Sequence, residues 1–180
     1  MFSLVETKQQ DDYMRDLGVS LGFNDMCLVS PRGLSGGLAV LWQNQVSVQV
    51  ISHDVRLVDL HVEYKSFNFY LSCVYGNPLP SERHHLWEKL QRISANRTGP
   101  WMMCGDFNKI LQVSEKKGGR QRSNSSLRNF QNMVNCCNMQ DLRFKGNPFS
   151  WVGKRQTEII ESCLDRVFIN SDWKAMYPAS

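Results

Sequence analysis

The sequence holds no uninterrupted apolar run of about 18 residues, the length a membrane-spanning helix requires. Its first residues, MFSLVETKQQ, lack the basic start and apolar stretch of a secretory signal. The six cysteines include no Cys-x-x-Cys pair, so the usual spacing of a structural zinc site is missing. Internal repeats and low-complexity tracts are absent too. These absences set the expectation of a nuclear or cytoplasmic protein, not a secreted one, with reduced thiols and no membrane partner. Histidine is scarce: only His53, His61, His84 and His85 occur. A catalytic base must come within hydrogen-bond distance of its proton. All four read as surface or satisfied core residues.

What is present suits a single domain over residues 1–180, long enough for a real core. Apolar residues make up 42% and charged residues 21%, an ordinary globular balance. The net charge of +4 is compatible with a polyanionic partner. The basic residues are scattered except at Lys116, Lys117, Arg120 and Arg122. These lie in SEKKGGRQR, residues 114–122, the most polar connection and the best place to touch phosphate. The same segment also reads as a solvated charge run.

Periodicity places the elements. Residues 2–5 read as the end of a strand running into Glu6. Residues 9–17 carry Tyr13, Met14 and Leu17 on one helical stripe, broken at Gly18 or Gly22. Residues 24–30 suit a strand closed by Pro31. Runs at 35–42, 46–52, 55–64 and 67–75 are strand-like and joined by short links, which predicts a four-stranded antiparallel meander. SERHHLWEKLQRI, 81–93, changes period and puts Leu86, Trp87, Leu90 and Ile93 on one helical face. A strand at 101–105 follows, then an amphipathic helix at 123–138 with Ser123 as N-cap. Short strands are expected at 149–152 and 164–169, with a last helix from Ser171 or Asp172 ending before Pro178. Helices flanking many, mostly antiparallel, strands predict an α+β layered architecture.

WMMCGDFNKIL, residues 101–111, raises the chemical question. A buried-looking strand ends on Asp106 and Asn108, which strand alternation could point the same way. They suit a site, or a plain turn. Glu6, Tyr75, Asn77 and Asp165 also lie at the end of, or just beyond, strand-like runs. A hard divalent cation takes carboxylate oxygens and keeps several waters. Phosphodiester hydrolysis needs a water nucleophile and charge neutralisation on the phosphate. Glu6 could hold the metal, Asp106 could orient or deprotonate water, and Asn108 and Tyr75 could bond phosphoryl oxygens. Each also has a plainer reading. Tyr75 could be half-buried packing, and Asp165 an acid paired with Arg166 or a neighbour.

Together Glu6-Thr7-Lys8, Tyr75-Gly76-Asn77-Pro78, Gly105-Asp106-Phe107-Asn108 and Leu164-Asp165-Arg166 resemble, in order, the endonuclease/exonuclease/phosphatase superfamily, which includes deoxyribonuclease I. SGGLAVLW, YGNP with Arg83 and Trp87, EKKGG, and Phe149-Ser150-Trp151 resemble more particularly the endonuclease domain of plant LINE-type non-LTR retrotransposons. The resemblance runs from about Glu6 to Trp173. It implies a DNase I-like four-layer sandwich, with two mostly antiparallel sheets flanked by helices and the site at one end. It also implies Mg²⁺ (or Mn²⁺) at Glu6, Tyr75 on the scissile phosphate, Asp106 on the water, and Asn108 on a phosphate oxygen. Asp165 would orient a catalytic histidine. The partner implied is DNA, with an RNA-linked retrotransposition substrate as a variant, met by Asn77, Lys116, Lys117, Arg120 and Arg122 of a monomer. The superfamily pattern also has an Asn-containing strand before the Glu and a Ser-Asp-His motif after the last segment. Neither is found between Met1 and Ser180, so an incomplete fold and weak or absent hydrolysis are expected.

Overall fold

The computed structural model describes residues 1–33, 35–120, 123–142, 146–155 and 157–178. The chain begins β1 (Phe2–Val5), α1 (Asp11–Ser20), β2 (Asp25–Val29), β3 (Leu38–Trp42), β4 (Ser47–Asp54), β5 (Leu57–Tyr64) and β6 (Phe67–Tyr75). It continues α2 (Arg83–Ala95), β7 (Trp101–Asp106), β8 (Lys116–Lys117), α3 (Asn124–Cys136) and β9 (Met139–Asp141). It ends β10 (Trp151–Arg155), β11 (Glu158–Ser162), β12 (Asp165–Asn170) and α4 (Ser171–Met176). Six strands form one sheet in the order β4-β5-β6-β7-β12-β9, and two three-stranded sheets run β1-β3-β2 and β10-β11-β8.

The expected meander holds for β4, β5 and β6 but not for β3. Leu38 to Trp42 are all buried, and β3 is the centre of the separate sheet between β1 and β2. LAVLW has no polar alternation, as befits a strand covered on both faces. Alternation does hold in β5, where Leu57 and Val58 belong to cores on opposite sides of the sheet. The β6–β7 pairing is parallel, because α2 lies between the two strands and carries the chain back.

Three apolar layers follow. Met14 of α1 packs on Ala39 and Leu41 of β3. Leu38, Val40 and Trp42 face Val58, Leu60, Val62 and Cys73 across the inter-sheet core. On the far side, Leu86, Trp87 and Leu90 of α2 and Phe130 and Met133 of α3 cover Trp101, Met103 and Phe168. The result is the four-layer, DNase I-like α+β sandwich expected. Burial of each such large side chain is worth roughly 1.5–3 kcal/mol, so these layers dominate stability.

Several boundaries moved for physical reasons. Helix α1 runs through Gly18, which allows close approach to the sheet: a Cβ there would lie 3.0 Å from the Met26 side chain. Strands β9 and β11 are too short to show a period in sequence. Ser123 stands at the N-cap of α3, but its hydroxyl bonds Ser125 Oγ (2.9 Å) instead of capping. Helix α4 begins at Ser171, as expected, and Asn170 before it caps the helix by accepting from Trp173 N and also accepts from Trp101 N. Among the described residues, no helix is long and apolar enough to cross a membrane.

A buried polar knot joins α2 to the sheet. Asp59, 1% exposed, accepts two hydrogen bonds from Arg97 (2.9 and 2.6 Å) and one from Ser72 Oγ (2.6 Å). Trp101 Nε1 donates to Ser72 Oγ, and the Arg97 guanidinium lies over the Tyr70 and Trp101 rings. Removing one partner of a buried pair strands the other charge. Arg97→Ala should therefore cost about 3–5 kcal/mol in urea unfolding, and a loss below about 1 kcal/mol would show that the pair carries little.

Candidate active site

The parallel β6–β7 pairing and the antiparallel β7–β12 pairing bring three strand ends level. Tyr75 is the register partner of Asp106, and Asp106 of Asp165. Glu6, one residue past β1, meets this row: Tyr75 Oη donates to Glu6 Oε1 at 2.7 Å. Glu6 and Lys8 adopt left-handed backbone (φ 55° and 53°), and Lys8 Nζ lies 3.9 Å from Glu6. Thr7 N and Lys8 N donate to the carbonyls of Gly37 and Gly36. A Cβ on Gly37 would sit 2.1 Å from Thr7 Oγ1, so the glycines of SGGLAVLW leave room for the Glu-Thr-Lys turn.

Asp106 and Asn108 converge, though not by strand alternation. The strand ends at Asp106, and Asn108 turns back in the left-handed region (φ 52°). Its backbone N–H donates to Asp106 Oδ1 (2.7 Å), and its Nδ2 donates to Asp106 Oδ2 (2.9 Å) and Gly76 O (3.0 Å). Phe107 between them is fully buried and its N–H donates to Leu164 O, anchoring the turn. Gly76 N donates to Asp106 O at 2.6 Å, and a Cβ on Gly76 would lie 2.2 Å from Phe107 O. The two motif turns lie against one another.

Asp165 is exposed and is not paired with Arg166. Its backbone N–H and that of Leu164 both donate to Ser150 Oγ (3.0 Å each). Arg166 points to the other face of β12, where Glu115 and Asp141 hold it in a buried ion-pair cluster. The Asn77 side chain accepts from Leu79 N (3.0 Å), closing its own turn. Lys116 Nζ folds onto the carbonyls of Gly118 and Arg120, and Lys117 lies over the Phe149 ring. Arg120 is exposed, and Arg122 lies outside the described residues.

Sequence reasoning missed the roles of Arg83 and Ser150, and it missed Lys109 and Arg155. Arg83 donates to the carbonyls of Asn77 and Pro78 (2.7 and 2.9 Å), bracing the turn after Tyr75. Arg83, Lys109, Lys116, Arg120 and Arg155 line a groove of about 1110 Å³ that starts at Asn108 and reaches Trp151. Lys116 and Arg120 belong to the 114–122 run marked in sequence, whereas Arg83, Lys109 and Arg155 come from separate segments that no charge run marked.

Charge crowding tunes the row. Burial, then the nearby Asp165 and Glu6 carboxylates, push Asp106 up to about 6, against the Asn108 N–H bond and Arg83. Burial and the hydrogen bond to Glu6 raise the Tyr75 hydroxyl well above an ordinary phenol, which keeps it a donor.

A carboxyl signal titrating near pH 6 in carbon-detected NMR, lost in Asp106→Asn, is therefore expected for the metal-free chain. Asp165→Asn should lower that midpoint. A folded value above the ordinary 3.8 makes this group's contribution to stability full below that pH and lost as pH rises through about 6. A midpoint in the ordinary range would refute the crowding.

A search of curated proteins found no match. Among solved structures, the endonuclease domain of TRAS1, a telomere-specific non-LTR retrotransposon, superposes with TM-score 0.64 at 12% identity, over 96% of this chain and 86% of that one. The 3′ phosphatase NExo from Neisseria, bound to a product DNA hairpin, gives TM-score 0.67 at 15% identity, over 94% and 75%. The AP endonuclease LMAP from Leishmania major gives 0.66 at 15% identity, over 94% and 69%. These likenesses establish the shared fold. Residues 1–177 match the Endonuclease/Exonuclease/phosphatase family, and the chain belongs to that family.

Proposed function

We propose that this chain is a metal-assisted phosphodiesterase domain acting on DNA, of the plant LINE-type retrotransposon branch, and that it hydrolyses slowly. One observation carries the reading: Tyr75, Asp106 and Asp165 lie in one row with Glu6, and Asn108, bonded to Asp106, lines the end of a groove rich in basic residues. A groove lined by five basic residues, one of them folded onto loop carbonyls, suits a phosphate backbone. The nuclear or cytoplasmic setting expected from sequence suits that substrate.

The donor set fits a hard divalent ion. Among the described residues no three His, Cys, Asp or Glu groups form a ready-made cage. Mg²⁺ usually needs only one or two carboxylates and keeps its waters. Here Glu6 and Asp165 both push Asp106 upward, an excess of negative charge that a cation would relieve. Glu6, with a neighbouring acid of the row, would hold Mg²⁺ (or Mn²⁺). The ion would neutralise charge on the phosphate and leaving oxygen.

The side chains supply the rest. Tyr75 Oη exchanges its bond to Glu6 for one to a phosphoryl oxygen. Asn108 Nδ2 exchanges its bond to Asp106 for a second phosphoryl oxygen, which frees the carboxylate to orient water. A carboxyl near 6 is mostly ionised at neutral pH yet basic enough to accept a proton. No imidazole assists among the described residues. His61 bonds Asn68, His84 bonds the Ser81 carbonyl, His85 faces Glu82, and His53 lies on β4. Groups acting as one catalytic unit are strongly non-additive, so the rate should be low. The absence of an imidazole favours a second reading, a nucleic-acid binder without cleavage.

The deciding experiment is supercoiled-plasmid nicking with Mg²⁺ and with EDTA, set against Asp106→Ala. Slow nicking that needs Mg²⁺ and vanishes in the variant is expected. Folded protein that binds but never nicks would leave only the binding reading. In either case affinity should fall with salt at a log–log slope of about −3 to −4, for roughly four phosphates met by the groove. Lys109→Ala or Arg155→Ala should each flatten that slope by about 1. A slope near zero would remove DNA from the groove.

A further inference from the structure

Directly beneath the Tyr75–Asp106 row lies a second register pair, Cys73 and Cys104, on the same two parallel strands. Two residues along a strand returns to the same face, so both thiols point into the inter-sheet core. All six cysteines are free thiols. We propose that Cys73 and Cys104 are a reversible redox pair, closed to a disulfide by a peroxide, and that closure displaces the row above. The disulfide follows from geometry alone, whereas its consequence for DNA rests on the phosphodiesterase reading.

The spacing allows the bond and makes it mechanically consequential. Adjacent strands run about 4.8 Å apart, within the Cα separation of disulfides, roughly 4.4–6.8 Å. The Cβ atoms of a disulfide sit about 3.8 Å apart while its Cα atoms usually stand about 5.5–6 Å apart, so closing the bond tilts the two residues toward each other and shifts β6 against β7. Little slack exists there. Gly105, next to Cys104, is so close to β6 that a Cβ would lie 2.1 Å from Val74 O. A shift of these strands reaches Tyr75 and Asp106, the register pair two residues on. A strained disulfide is readily reduced, so the change is reversible.

The chemistry is balanced by one peroxide. The neighbouring Cys104 thiol draws Cys73 below its ordinary value, and Cys73 together with burial pushes Cys104 up. Cys73 is thus the attacking sulfur. It takes one peroxide oxygen, becomes a sulfenic acid and releases water. Cys104 sulfur then attacks the Cys73 sulfur, its proton leaves with the hydroxyl as a second water, and the S–S bond forms. Cys73 is fully buried, so the oxidant must be nearly as small as water.

The test treats the full chain with hydrogen peroxide in a Cys136→Ser background, which removes the exposed thiol. Alkylation, digestion and mass spectrometry should find a Cys73–Cys104 linked peptide, two hydrogens lighter than its parts and reversed by dithiothreitol. Cys73→Ala and Cys104→Ala should each abolish it, and Cys27→Ala should not. The NMR signals of Tyr75 and Asp106 should move on oxidation and return on reduction. DNA nicking or binding should fall by about tenfold or more, as small misplacements at a site do. Sulfinic acid without the link, or the link without movement of the Tyr75 and Asp106 signals, would overturn the proposal. Link and movement without any effect on DNA would uphold the redox pair and count against the phosphodiesterase reading.

Discussion

The parallel pairing of β6 with β7 is the constraint from which the site follows. It sets Tyr75 beside Asp106, and it continues past the strand ends as the bond from Gly76 N to Asp106 O. That bond requires a residue without a Cβ, because Phe107 O occupies the space. The turn after Tyr75 and the turn after Asp106 therefore hold each other. Asn108 closes the clasp from one side through Gly76 O, and Arg83 from the other through Asn77 O and Pro78 O. A parallel pair needs a crossover, and α2 provides it while covering the outer face of the sheet. Fold and site share one cause.

Buried charges serve the architecture in two places and the chemistry in a third. Arg97 and Asp59 tie the end of α2 to the sheet interior. Arg166, with Glu115 and Asp141, ties the 111–119 segment and β9 to the back of β12. Glu115 also accepts from Leu111 N and Gln112 N, so the start of that segment is held by the same carboxylate. Both knots pair opposite charges. The row of Glu6, Asp106 and Asp165 does the reverse, gathering like charges at a half-buried edge. Uncompensated like charges are costly for a fold and useful for a cation or a proton, and this contrast separates site from scaffold.

The groove illustrates how a binding surface differs from a charge run. Lys116 and Lys117, prominent in sequence, are partly spent on loop carbonyls and on the Phe149 ring. Arg83, Lys109 and Arg155 come from a helix start, a turn and a hairpin, and the fold gathers them beside Asn108.

Local pattern determined much of this protein. Period-two alternation marked β4 and β5, and period 3.6 marked α2 and α3, because each helix buries one face against the sheet. The succession of Glu6, Tyr75, Asp106, Asn108 and Asp165 at strand ends was legible too, since polar groups that close apolar runs stand out. Tertiary structure alone decided the remainder. LAVLW lies in a sheet of its own, and only packing on both faces could separate it from the meander. Asn108 reaches Asp106 through a left-handed turn, not through strand alternation. Arg166 turns away from Asp165 because the face of a strand residue is settled by what covers the sheet. Ser150 holds Asp165 from 15 residues away in sequence, through backbone groups that carry no sequence signal at all. Sequence records which residues a chain can bury, whereas contacts between distant segments exist only once the layers have closed.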